Sequence, residues 1–303
     1  MKITKLLTST TILSSVLFLT ACTTFTSPVG SSHPEKDTSA NTVTFQQIRN
    51  ATIKLNYAGT KFLVDPMLAP KNAYLGFAGT VNSEVRYPKV DLPVTVEEVL
   101  DADAIILTHL HADHWDEAAR FLVPRDMPIF TQNEADAKTV RKDGFTNVKV
   151  LTEAGVTFNG TKINKTIGQH GTDEMYQVPP LAESLGKTMG LVFQRPDYKT
   201  VYVVGDTVWN EEVEEALTRY KPDAVILNTG YAKVDNFDDS IIMGKEDLYR
   251  AYQFSPNAKI VGVHMDTVNH ATLTKAELRR FIEEKHLDKQ RALVPNDGQR
   301  YKF

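Results

Sequence analysis

The sequence predicts an α/β protein whose sheets are covered by helices. Two observations carry that expectation. Short strand-like segments dominate the first part of the chain, and after residue 209 a helix precedes a strand three times in succession. Composition agrees: of 303 residues, 42% are hydrophobic and 24% charged, which is enough apolar material for a packed core and excludes a disordered or collagenous chain.

Taken in order, the elements justify themselves by local pattern. Ala51–Tyr57 alternates with period two, and Lys61–Asp65 follows after Ala-Gly-Thr, which reads as a hairpin. Residues 66–93 have no period and read as a long loop. Thr95 with Glu98 forms a capping box that opens a short helix to Leu100. Ala104–Thr108 reads as a buried strand. Asp113–Val123 and Asn133–Lys142 read as helices, the second stopped by Gly144. Strands are expected at 148–151, 156–158, 162–167, 189–194 and 200–204. The helix–strand alternation then runs 210–220 and 224–227, 245–254 and 259–263, and 275–285 and 292–295, with Thr274 and Glu277 boxing the last helix.

The N-terminus reads as an address. Two lysines precede an uncharged apolar run from Leu6 to Thr20, about 15 residues and short of the roughly 20 needed to span a bilayer. Leu19-Thr20-Ala21-Cys22 follows and resembles a lipoprotein signal, in which Cys22 is lipidated and becomes the mature N-terminus. Cys22 is the only cysteine, so neither an intramolecular disulfide nor a cysteine zinc cluster can form. The expected organisation is a signal peptide at 1–21, a Ser/Thr/Pro-rich tether at 22–42 and one domain at 43–303. The lipoprotein resemblance implies an exported bacterial protein, held by its lipid at the cell envelope; in a Gram-negative cell, Thr23 after the cysteine implies the periplasmic side of the outer membrane. A net charge of −4 excludes the basic surplus that a nucleic-acid binder uses to neutralise phosphates.

The residues most suggestive of chemistry follow the strand at 104–108. His109, His111, Asp113 and His114 place four ligand-type side chains within six residues. Two histidines two apart on extended backbone point the same way, and Asp113 and His114 are expected to begin the next helix. Any metal here must be held by His, Asp or Glu, and such a set favours borderline ions, Zn²⁺ above all, with Mn²⁺ or Fe²⁺ as alternatives.

This His-x-His-x-Asp-His run resembles the signature of the metallo-β-lactamase superfamily. Leu63-Val-Asp65-Pro66, Gly168-Gln-His170-Gly171, Val204-Gly-Asp206-Thr207 and Val261-Gly-Val-His264 resemble its other motifs in order. The resemblance covers nearly all of the domain and implies a four-layer αβ/βα sandwich with two metal ions at one edge. It implies that His109, His111 and His170 hold one ion, that Asp113, His114 and His264 hold the other, and that Asp206 bridges them. A hydroxide shared by two ions is then the nucleophile, Asp113 orients it and handles its proton, and Asp65 braces a ligand imidazole. His270, six residues after His264, is a further candidate to protonate a leaving group.

Asp at position 206 resembles the lactonase, thioesterase and phosphodiesterase branches and points away from β-lactamases proper. The ending His114-Trp115-Asp116 resembles the group that holds ascorbate-6-phosphate lactonase and the N-acyl phosphatidylethanolamine phospholipase D enzymes. The expected activity is hydrolysis of a small ester, lactone or phosphodiester. One alternative is a membrane phospholipid, with Leu75, Phe77 and Val81 of the 67–92 loop against lipid. The other is a non-catalytic, metal-binding envelope lipoprotein, which a complete ligand set disfavours.

Overall fold

A computed structural model of the chain describes residues 41–303. The lipobox, the signal segment and nearly all of the tether lie outside the described residues. Among the described residues, no helix is long and apolar enough to cross a membrane.

The first sheet holds β1 (Thr44–Arg49), β2 (Thr52–Tyr57), β3 (Thr60–Val64), β4 (Ala104–Leu107), β5 (Ile129–Thr131) and β6 (Val148–Val150), with the C-terminal β14 (Arg300–Lys302) added outside β1. The expected hairpin is β2–β3, closed in the register Tyr57↔Thr60. Ala58 and Gly59 both have positive φ, as a two-residue turn matched to strand twist requires. β3, β4, β5 and β6 run parallel. The second sheet orders β13 (Ala292–Leu293), β12 (Lys259–Val263), β11 (Ala224–Asn228), β10 (Val201–Val203), β9 (Thr188–Gln194), β8 (Thr161–Gly168) and β7 (Val156–Phe158).

The inner faces pack on one another through Phe45, Leu55, Phe62, Ile106 and Phe130 from the first sheet and Leu191, Phe193, Val203, Ile226 and Val261 from the second. α1 (Val96–Leu100), α2 (Glu117–Leu122) and α3 (Glu134–Lys142) cover the outside of the first sheet through Val99, Ala119, Ala137 and Val140. α6 (Glu211–Tyr220), α7 (Lys245–Phe254) and α8 (Lys275–Glu284) cover the second through Val213, Leu217, Leu248, Leu278 and Phe281. The result is the expected four-layer αβ/βα sandwich. The capping residues expected at Thr95 and Thr274 accept from the backbone three positions on, and Asn133 and Asn210, expected as first helical residues, do the same as caps of α3 and α6.

Several elements differ from expectation. β1, β5, β14 and two short helices, α4 (Asp173–Tyr176) and α5 (Pro179–Leu185), were not expected. The helix expected from Asp113 starts only at Glu117, because Asp116 is its cap: the Asp116 carboxylate accepts from Ala119 N. Asp113 and His114 instead sit in a tight turn, in which His114 N and Trp115 N both donate to His111 O.

The long loop at 66–93 stays without regular structure, yet buried ties hold it. Arg49, fully buried, donates to the carbonyls of Met67, Ala69 and Val90. Asp116 accepts from Leu68 N and Ala69 N.

Candidate metal centre

Each candidate ligand, and Asp65 that braces them, leaves the C-terminal end of a strand or lies a few residues beyond one. Asp65 follows β3, the His109–His114 turn follows β4, His170 follows β8, Asp206 follows β10 and His264 follows β12. Strand ends of α/β sheets expose such side chains at one edge while the ladders fix their positions. Backbone shape is tightly constrained there. A Cβ on Gly205 would lie 2.5 Å from Met189 O, and its φ is +76°. A Cβ on Gly230 would lie 2.2 Å from His264 O. Only glycine fits at either position.

The structure brings together all seven expected ligands. His109, His111 and His170 each offer a ligand atom within 4.8 Å of the others, as do Asp113, His114 and His264. Asp206 groups with His109 and His114, one from each set. Six of the seven are buried, His111 being half-buried.

Hydrogen bonds orient the imidazoles. His114 Nδ1 donates to Asp65 Oδ2 at 2.8 Å, which leaves Nε2 facing Asp206 Oδ2 and His264 Nε2, both at 3.1 Å. His170 Nδ1 donates to Ile241 O at 2.9 Å, and His111 Nε2 to Ser184 O at 2.8 Å. Thr108 Oγ1 donates to Asp65 Oδ2 and so accepts from His109 Nδ1 at 3.0 Å. His109 Nε2 is left buried with no partner. An imidazole that spends one N–H on a protein oxygen has its other nitrogen free as a lone-pair donor.

The electrostatics fit a cation. Burial depresses His170 to about 4 and His109 well below the usual histidine range, so both are neutral donors. Burial also opposes charge on His114, yet Asp206, Asp113 and Asp65 together hold it well above its ordinary value. That negative field, two imidazole nitrogens facing each other and an orphaned third are what divalent ions would satisfy. The residues fit the metals implied by the sequence.

Four residues outside the sequence motifs complete the arrangement. Asn50, with φ +56°, donates to Asp113 O at 3.1 Å, and its own carbonyl accepts from His264 N. Asn228 donates to Asp206 Oδ1 at 2.6 Å. Thr108 bridges Asp65 and His109, and Thr188 Oγ1 donates to Asp206 O. The position of Asn228, at a strand end one sheet neighbour from Asp206, was the one available signal.

A cavity of about 460 Å³ opens onto the centre. Asp113, His170, Asp206 and His270 line its polar side, and Phe77, Leu181, Leu185, Val234 and Ile241 its apolar side. His270 is buried, and burial takes it down to about 4. Trp115 lies in the core against Phe145, and Tyr231 packs beside Gly244; neither lines the cavity. His286 is exposed.

A two-sheet sandwich with a His/Asp centre at one edge defines a metal-dependent enzyme. The model of the β-lactamase superfamily domain matches residues 60–265, and the chain belongs to that superfamily. UPF0173 protein YddR of Bacillus subtilis (strain 168) is 44% identical over 85% of this chain and 98% of its own length. The crystal structure of a possible metal-dependent hydrolase from Veillonella parvula DSM 2008 has a TM-score of 0.84 and 46% identity, covering 85% of this chain and 98% of that one. The crystal structure of isothiocyanate hydrolase from Delia radicum gut bacteria has a TM-score of 0.82 and 50% identity, covering 86% of this chain and 99% of that one. The protein is a metal-dependent hydrolase of the superfamily.

Proposed function

We propose that this enzyme hydrolyses isothiocyanates, R–N=C=S, to an amine and carbonyl sulfide at a dinuclear centre. The observation that carries the reading is the 50% identity to isothiocyanate hydrolase across 99% of that chain. The cavity suits the substrate: a small heterocumulene head at the polar side, and an apolar R against Phe77, Leu181 and Val234.

His109, His111 and His170 would hold one divalent ion, Asp113, His114 and His264 the other, and Asp206 both. Zn²⁺ is favoured, with Mn²⁺ or Fe²⁺ as alternatives. When bound, such a pair acidifies water and polarises the substrate. Asp113, fixed by Asn50, takes the proton of the attacking water as the C–O bond forms at the central carbon. Asp65 and Thr108 keep His114 and His109 in the donor tautomer. The apolar wall excludes bulk water from the reacting carbon. The lipobox reading adds a lipid anchor on Cys22 and a place at the cell envelope.

The resemblance to ascorbate-6-phosphate lactonase and its group supplies the comparison substrates. Detergent-solubilised full-length protein is incubated with an alkyl isothiocyanate, a lactone, a phosphodiester and a phospholipid, with Zn²⁺ or with chelator. Amine and carbonyl sulfide are expected in equal amounts, with Zn²⁺ only. Turnover of a comparison substrate with no amine from any isothiocyanate refutes the substrate reading and leaves the metal-dependent hydrolase standing.

A further inference from the structure

His270 belongs to none of the three ligand groups, although five of the other described histidines do. It is only 7% exposed, lines the cavity and has a buried Nδ1 with no hydrogen-bond partner. A buried, unpaired imidazole nitrogen is costly to keep and calls for a partner absent from the protein itself.

The ring is held in place. Phe77 packs edge-on against it, with centroids 4.9 Å apart and planes at 74°. The neighbouring Asn269, 2% exposed, ties down the strap that carries Phe77. Its Oδ1 accepts from Phe77 N at 3.0 Å, and its Nδ2 donates to Thr80 Oγ1 at 2.9 Å and Val81 O at 3.0 Å. On the other side, His270 O accepts from Lys233 N. The chain therefore spends a buried asparagine and an aromatic ring on aiming one imidazole into the cavity.

We propose that His270 is a catalytic residue that delivers the proton to the substrate nitrogen. This rests on the isothiocyanate reading. Addition of the water oxygen to the central carbon forms a C–O bond and sends the C=N π pair to nitrogen. The proton taken by Asp113 passes through His270 to that nitrogen, giving a thiocarbamic acid. The acid's remaining O–H proton then reaches nitrogen by the same imidazole as the C–N bond breaks. The products are R–NH₂ and carbonyl sulfide, and water supplies both protons, so no further reactant is needed.

The test uses His270→Ala and His270→Gln in metal-loaded, full-length protein. A proton donor matters most when the departing nitrogen is strongly basic. With butyl isothiocyanate, kcat is expected to fall by about 10²–10⁴-fold in both variants. With 4-nitrophenyl isothiocyanate, whose amine is weakly basic, it is expected to fall less than about tenfold. Added imidazole should restore part of the butyl rate in His270→Ala and none in His270→Gln. Metal content should match wild type. An equal loss on both substrates, or loss of metal, overturns the proposal. Should wild type leave isothiocyanates intact, the function reading fails separately, and binding of N-butylthiourea decides on His270. Roughly tenfold weaker binding in His270→Ala supports its contact with substrate nitrogen, and unchanged binding overturns it.

Discussion

Replacing Asp65 with Asn tests whether the histidine tautomers are set by one buried carboxylate. Asp65 accepts three hydrogen bonds: from Thr108 N at 2.8 Å, from Thr108 Oγ1 at 2.7 Å and from His114 Nδ1 at 2.8 Å. Asparagine keeps the shape, and it tolerates the positive φ of 48° at this position, so strain does not confound the result. Its oxygen can keep the bond from Thr108 N. Its NH₂ must then stand where Oδ2 stood, facing two donors. The relief available is to turn Thr108 and flip both His114 and His109 so that Nδ1 accepts. Each flip puts a proton on Nε2, the nitrogen aimed at the centre.

Supporting partners of this kind are worth about 10–100-fold in metal affinity, or roughly 1.4–2.7 kcal/mol at 1.36 kcal/mol per tenfold. Two flips place the expected loss near the upper figure. The metal-free protein should suffer less than its lost bonds suggest, because burial already opposes the charge on Asp65 and the Asn variant escapes that opposition. Competition with a chromogenic chelator measures affinity, and thermal unfolding with and without Zn²⁺ separates the two effects. Wild-type zinc affinity in a folded Asp65→Asn protein would refute the tautomer argument.

Two other outcomes are expected. Wild-type protein should carry two ions per chain; Asp206→Ala should lose metal as well as rate, whereas Asp113→Asn should keep the His109–His111–His170 ion and lose turnover by about 10²–10⁴-fold, so metal analysis and kcat on the same preparations tell the two aspartates apart. Cys22→Ser should shift the protein out of the membrane fraction or leave its signal uncleaved, and identical soluble fractionation of both forms removes the lipid anchor.

The ligand set was legible because its largest part is local. Four donors fall between His109 and His114, directly after an apolar strand, and Asp206 and His264 also follow apolar strands, whereas His170 follows the more polar β8. β1 was not legible for the opposite reason. Thr44–Arg49 carries Gln46, Gln47 and Arg49, polar residues that look solvent-facing yet are buried, and the side-chain partners of Gln46 and Arg49 lie far along the chain at Gly298, Met67, Ala69 and Val90. Nothing local announces a buried arginine whose donors are met by loop carbonyls. The late start of α2 was more accessible. Asp113 and Asp116 are rival caps in the sequence, and what excludes Asp113 is the need to turn the His114 ring onto Asp65. α5 had a readable signature, prolines at its start and Gly186 at its end. Asn50 and Asn269 had none, since each acts across a turn or strap whose course depends on the finished fold.

The two halves of the site rest on different supports, and this bears on how substrate choice can vary. The donors sit on or beside strand ends, where ladders and a packed core set position. The cavity wall comes from the 66–93 strap, α5 and the segment around Ile241, which side chain–backbone bonds hold in place. Two of those bonds begin on ligands: His111 donates to Ser184 O in α5, and His170 to Ile241 O. The N–H that fixes each donor tautomer is thus the same N–H that anchors the wall. An ion that favours the donor tautomer therefore also favours the wall's anchored position, by a coupling that runs both ways. Substitutions at Leu181 or Val234 change the shape of the cavity without touching either bond. They leave the metal chemistry in place while altering which substrate fits, so a single centre can serve different substrates through its walls.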